Sequence, residues 1–277
     1  MSLLVCLEGS ASSASAITCA IDFAQALATT LTGLAIVDEP DIVAAAATGI
    51  GGASYRKDRD AALLADAQAH AAVWLHDFAA RSHAAGLSVR TLELAGRPAE
   101  TILEELAHHD LAVFGRDVNF RFETQESDRY TRDRLLRRAG KPLIVVPPGA
   151  APSASSVMVM YDGSAAAIRA LRSFAASGLG YGRKIYVATV DDDGATAFER
   201  ASQGCALLRG DYGVAASPEN IVSADPVVAA LLERRAKLDA GLIVLGGYVP
   251  SPLARLVWGS VTHGVLEQSP VPVFVHY

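Results

Sequence analysis

Leu3–Ser10 reads LLVCLEGS and Val157–Ser164 reads VMVMYDGS. Each is an apolar run that ends in an acid followed by Gly-Ser. An Ala-rich stretch of helical character follows each, 12–28 in one place and 165–177 in the other. The likeness continues outward. A second apolar run, Thr32–Val37 or Lys184–Val190, ends in an acidic loop, DEPD at 38–41 or DDDG at 191–194. LAVFG at 111–115 matches LIVLGG at 242–247, and KPLIVVP at 141–147 matches VPVFVHY at 271–277. Self-similarity on this scale means two copies of one structural unit. PPGAAPSASS at 147–156 lies between them and reads as a Pro/Ser/Ala linker. The expected division is 1–150 and 151–277.

Within each half, strands and helices alternate. The strands are near-continuous apolar runs rich in Val and Ile, as expected when both faces of a sheet are covered. That alternation predicts an α/β fold with a parallel sheet and right-handed crossovers. Helices are expected over 12–28, 57–85, 97–109 and 128–139, then over 165–177, 195–208, 226–239 and 260–268. Pro98 and Pro226 fall in first turns, where a missing N–H costs nothing, and Asp225 is placed to cap the helix after it. The final strands of the two halves are apolar edges. Pairing one against the other covers both, giving an intramolecular pseudo-dimer with an approximate two-fold axis.

Composition bounds the function. The chain has 277 residues, 51% hydrophobic and 19% charged, with mean hydropathy +0.26. That is ample core material and excludes a disordered chain. No apolar run approaches the ~20 residues that span a bilayer. A net charge of -6 argues against broad nucleic-acid or anionic-membrane binding. The start, MSLLVCLEGS, lacks the basic region of a signal peptide. Cys6, Cys19 and Cys205 form no CxxC pair. Reduced, buried thiols in a cytoplasmic protein are expected.

Several chemistries lack their residues. Gly140-Lys141 is followed by Pro142, so there is no P-loop, and there is no GxSxG. Gly178-Leu-Gly180-Tyr-Gly182 precedes a strand and reads as a turn. His70, His76 and His83 lack the i,i+4 spacing of a helical metal site. His108-His109-Asp110 stands at a helix C-terminus with no matching nucleophile or acid in the repeat.

Ligands of open parallel sheets bind beyond the carboxyl ends of the strands, at the switch point. Three pieces of the second half converge there. Asp162-Gly163-Ser164 ends its first strand. Val190 and the acids after it end the second. Gly246-Gly247 ends the fourth, with Gly259-Ser260-Val261-Thr262 opening the last helix. Gly-Ser at a helix N-terminus offers free N–H groups and a hydroxyl, an arrangement suited to phosphate. The same residues also serve as an ordinary helix cap.

These residues amount to a family likeness. The second half resembles a universal stress protein domain, and the whole chain resembles a tandem member of that family. The likeness rests on YDGS at 161–164 and on LIVLGGYVPSPLARLVWGSVTHGVLEQSPVPVFV at 242–275. It implies two Rossmann-like (adenine nucleotide alpha hydrolase-like) domains with sheet order 3-2-1-4-5, many of which bind ATP. The family's nucleotide motif, G-x2-G-x9-G-[ST], falls on Gly246, Val249, Gly259 and Ser260. By the same likeness Asp162 contacts the adenosine part and Val190 meets the base through its backbone. Val249 departs from the motif. A β-branched side chain obstructs the close approach and positive φ that glycine allows, so AMP or ADP is expected to bind about as well as ATP.

The first half departs further. Glu8 stands for Asp162, and Gly115 alone survives of the glycines. Laying Lys141-Pro142 on Val271-Pro272 puts Arg129-Tyr130 where Gly259-Ser260 lie, and their bulk is expected to fill that crevice. The stretch 116–141 carries eight Arg or Lys, offset mostly by Asp and Glu. It reads either as a salt-bridged solvated segment or as an Arg-lined anion or partner site. Asn119-Phe120-Arg121-Phe122 is placed to dock on the neighbouring half.

The function expected from the sequence is a stress-response protein that holds ATP, ADP or AMP in its C-terminal half. No Walker lysine or general base is evident, so hydrolysis should be slow or absent, and no metal site is expected. The alternative is an interaction or regulatory module of the same fold that binds no nucleotide, with a homodimer as a further form. An adenylating enzyme is disfavoured because the chain has no SGGxDS loop.

Overall fold

The computed structural model describes residues 1–44, 53–120, 130–150, 156–222, 226–246 and 258–277. The first half runs β1 (Ser2–Leu7), α1 (Ala11–Leu27), β2 (Thr30–Val37), α2 (Glu39–Ala44), α3 (Ala53–Ala84), β3 (Val89–Ala95), α4 (Pro98–Leu106), β4 (Leu111–Gly115), α5 (Tyr130–Arg138) and β5 (Leu143–Val146). The second runs β6 (Ser156–Met160), α6 (Ala165–Ser177), β7 (Lys184–Asp191), α7 (Gly194–Tyr212), β8 (Ser217–Val222), α8 (Val227–Lys237), β9 (Ala240–Gly246), α9 (Trp258–Gln268) and β10 (Val273–His276).

The strands form one ten-stranded sheet in the order β3-β2-β1-β4-β5-β10-β9-β6-β7-β8. Each half has the order 3-2-1-4-5, and pairing within each half is parallel. The halves meet where β5 and β10 pair antiparallel, Val145 with Val273, Ile144 with Phe274 and Leu143 with Val275. The expected joining of the two final strands therefore holds. Left bare, each would expose a row of unpaired backbone groups beside buried apolar side chains.

Alternating side chains build one core layer on each face of the sheet. Leu3, Val5 and Leu7 share a layer with Val157, Val159 and Phe274, covered by α1 through Phe23 and by α6 through Phe174. The Phe174 and Phe274 rings meet edge-on at 6.0 Å. Leu4, Cys6, Met158 and Met160 face the other way, toward Ile102 of α4, Leu135 of α5, Leu231 of α8 and Val265 of α9. Both layers cross the joint, so the halves share their core.

The acidic stretches behave differently from expectation. DEPD at 38–41 is a helix start: Asp38 accepts the Asp41 N–H at 3.2 Å, and α2 follows. In its counterpart, Asp193 caps α7 by accepting the N–H groups of Ala195 and Thr196. A carboxylate suits a helix N-terminus because it meets the orphan N–H groups and the positive dipole end. Pro98 opens α4 as expected. Pro226 sits one place earlier than expected, as the N-cap of α8, and Asp225 lies outside the described residues. The glycine turn after α6 is as read, with Gly178 its C-cap at φ 74. Cys6, Cys19 and Cys205 are free and buried, and burial pushes all three thiols up.

Candidate functional site

The carboxyl ends of β6, β7 and β9 lie side by side, and the switch point falls between β6 and β9. Asp162 follows β6, and its Oδ1 accepts the Ser164 N–H at 2.9 Å. Gly163 takes φ 79 in open space, a conformation that favours glycine. Ser164 is the exposed N-cap of α6 and accepts the Ala167 N–H at 3.1 Å. Val190 is the penultimate residue of β7, opposite Ile221 of β8, and packs on the second core layer.

The acids after Val190 serve the fold. Asp191 accepts the Asp193 N–H at 3.1 Å and pairs with Arg200 at 2.5 Å. The Asp193 N–H first, and Arg200 among the other partners, hold its carboxyl below the usual range. Bonds from Thr196 and Ala195 do the same for Asp193.

Gly246, expected to serve a phosphate loop, has a packing reason to be glycine. A Cβ there would stand 2.6 Å from Ala166 C and Ala167 N, because the first turn of α6 rests on the end of β9. Gly115 is its counterpart, where a Cβ would stand 2.6 Å from the backbone of Ser12 and Ser13. Val261 and Thr262 are buried, and the Thr262 hydroxyl donates to the Gly246 carbonyl at 3.4 Å. That hydroxyl ties α9 to β9. Gly259 and Ser260 lie in the first turn of α9. Gly247 and Val249 lie outside the described residues. The structure thus brings Asp162, Gly163, Ser164, Val190, Gly246 and the opening of α9 to one edge.

In the first half the same crevice is filled by its own chain. Glu8 Oε2 accepts the N–H groups of Asn119 at 2.9 Å and Phe120 at 2.7 Å. Successive N–H groups aimed at one oxygen form an anion nest. Phe120 takes φ 59 to do so and is buried. The Ser12 hydroxyl accepts the Asp117 N–H at 3.1 Å, holding the start of this segment. Burial raises the Glu8 carboxyl above its usual range, and Asp117 adds to this, while bonds from Phe120, Asn119 and Ser10 oppose it. Arg121, Phe122, Arg129 and the Tyr130 side chain lie outside the described residues, and with them the expected block by Arg129-Tyr130. The clasp around Glu8 left one trace in the sequence: Glu is a methylene longer than Asp, and that length carries the carboxylate to the 119–120 backbone.

The Arg-rich stretch finds its partner inside the molecule. Arg132 is 1% exposed. It reaches Glu267 Oε1 of α9 at 2.7 Å, the Arg116 carbonyl at 3.1 Å and Asp133 Oδ1 at 3.3 Å. Arg116 donates to the carbonyls of Glu267 at 2.9 Å and Ser269 at 3.2 Å. Arg134 pairs with Glu100 on α4. The partner-site reading therefore applies to Arg116 and Arg132, and the partner is the other half.

Other sequence candidates take structural roles. His70 lies beside Asp66 and Trp74 on α3. His109 is buried with Nε2 3.2 Å from Glu105 Oε1. Among the described residues, no group of three or more His, Cys, Asp or Glu side chains is arranged to hold a metal ion. No helix there is long and apolar enough to cross a membrane.

The fold and the paired crevices can now be set beside known proteins. The family model of the universal stress protein family matches residues 1–116 and 154–276. The chain belongs to the universal stress protein family, as a tandem member with both halves matched. A solved universal stress protein from Archaeoglobus fulgidus DSM 4304 is similar to it at TM-score 0.71 and 19% identity, over 99% of this chain and 97% of that one. A functionally unknown protein from Pseudomonas aeruginosa PAO1 is similar at TM-score 0.57 and 16% identity, over 99% and 92%. At these identities the likeness speaks for the fold. No curated protein matches the chain.

Proposed function

We propose that the chain is a stress-response protein that holds one adenine nucleotide, ATP, ADP or AMP, in the crevice of its C-terminal half without fast turnover. What carries the reading is the contrast between two equivalent crevices in one family fold. The first is sealed by Glu8 on the Asn119 and Phe120 N–H groups. The second presents Asp162, Gly163 and Ser164 as a half-buried to exposed turn, next to the N-terminus of α9. Asp162 suits a ribose or base, and the helix ends suit phosphate. Ser164 already accepts a bond from Ala167, so its N-cap role and ligand contact share one oxygen. Among the described residues no lysine or base is placed for phosphoryl transfer, and the expected role is binding.

The test is native mass spectrometry of protein purified without added nucleotide, followed by calorimetric titration with ATP and AMP. One equivalent per chain is expected, with ATP and AMP of similar affinity. Absence of binding by both would favour the interaction-module alternative. Two equivalents, or protection of the Glu8 crevice by ligand, would overturn the placement.

A further inference from the structure

The geometry points to Arg116 and Arg132 as positioning residues: the first half, its own crevice closed, sets the order of the α9 N-terminal turn that opens the second crevice. The inference rests on the proposed site for its functional meaning, but its structural core does not need a nucleotide.

α9 has 11 residues, about 15 Å of rigid rod at ~1.5 Å per residue. Its N-terminal turn holds Gly259, Ser260, Val261 and Thr262. Its far end is gripped by the first half. Arg116 donates to the Glu267 and Ser269 carbonyls, placing a cation at the negative end of the helix. Arg132, buried, holds the Glu267 side chain at 2.7 Å and the Arg116 carbonyl at 3.1 Å, so the two arginines act as one clamp.

The register makes the clamp one-sided. With Val146 laid on His276, as their pairings with Gly115 and Gly246 require, Arg132 is the counterpart of Thr262. The threonine makes a short local tie to its own strand, Gly246. The arginine ties to Arg116 at the end of its own β4 and then continues across the joint. Glu267 has Arg137 as its counterpart, and Arg137 pairs with Asp133 on its own helix. The clamp therefore starts from side chains of the first half and ends on the last helix of the second. A rod fixed at one end by charged bonds and packed along its length transmits a change of tilt to its N-terminal turn.

The experiment is hydrogen–deuterium exchange of the full chain without nucleotide, in wild type, Arg116→Met, Arg116→Lys and Glu267→Gln. Amides of Thr262–Val265, which bond back to the first turn of α9, are compared with those of Arg169–Arg172, which bond back to the first turn of α6, at the same edge but outside the clamp. In Arg116→Met and Glu267→Gln the α9 turn should exchange about tenfold faster, equivalent to roughly 1.4 kcal/mol of local opening free energy. The α6 turn should hold, and Arg116→Lys, which keeps the cation, should restore much of the protection. Glu267→Gln is the milder change and guards against a misfolded arginine variant. If the α9 turn is no faster, or quickens only in step with α6, the positioning role is overturned. That result stands apart from the titration: a chain that binds no nucleotide yet shows the exchange gradient loses the functional reading and keeps the coupling.

Discussion

Glu8 Oε2 and the Phe120 N–H are hydrogen-bonded at 2.7 Å. The bond spans two loops far apart in sequence and closes one of the protein's two crevices. It also places a carboxylate where burial raises its pKa. For an acid with a raised folded pKa, the stabilising contribution is full below the unfolded value and is lost as pH rises through the folded value. Glu8→Gln keeps an oxygen for both N–H groups and removes the titration. It should match wild type below about pH 4.5, flatten the fall above that, and so be the more stable of the two at neutral pH. Glu8→Ala leaves two N–H groups without their acceptor and should cost about 1.5–3 kcal/mol. Urea denaturation across a pH series reads both.

His276 makes the opposite prediction. Its Nδ1 lies 2.5 Å from the Ser173 hydroxyl oxygen. Burial first, then Arg169, holds its pKa below the ordinary 6.5, against a favourable contact with the Gly140 carbonyl. A base with a depressed folded pKa stabilises the fold above its unfolded pKa and loses that contribution as pH falls through the folded value. Wild type should therefore lose stability below about pH 6.5, and His276→Gln should lose less. Equal acid slopes in thermal melts of the two proteins would refute this assignment.

Gly115→Ala and Gly246→Ala test why glycine ends β4 and β9. Each Cβ would press on the backbone of a helix, so both variants should destabilise by about 1–3 kcal/mol, as overpacking does. If Gly246 served a ligand loop alone, its alanine variant would melt like wild type and only nucleotide affinity would change.

For the proposed site, Ser260→Ala should weaken ATP and AMP by part of the ten- to hundredfold that losing a charge-assisted hydrogen bond of roughly 1.5–3 kcal/mol allows. Val249→Gly should raise ATP affinity more than AMP affinity. Unchanged ATP binding in Gly259→Arg, which copies the first half's residue, would remove this site. Calorimetry separates the three.

The fold was legible because it is written twice. Strand periodicity, the Gly-Ser turns and the two final apolar runs recur, and one copy checks the other. The acidic stretches misled because capping carboxylates and loop carboxylates look alike in sequence; only the Asp41 N–H on Asp38 separates them. The Glu8 clasp was hidden because its donors are backbone N–H groups, which have no letter. Arg116 and Arg132 were visible as charge, but their partner Glu267 lies in the other half of the chain, where spacing carries no signal. Gly246 was found for one reason and kept by another, since close helix packing and close ligand approach ask for the same residue.

The antiparallel seam between β5 and β10 has a consequence for how the protein can change. In two separate chains such a seam is governed by mass action and weakens on dilution. Here a single polypeptide supplies both sides, so the effective concentration is fixed by the connecting segment and does not depend on how much protein the cell makes. Substitutions that loosen the seam cost local order before they cost assembly. Each half can then drift on its own, as the first has done in turning its crevice into an internal brace, without either losing its neighbour.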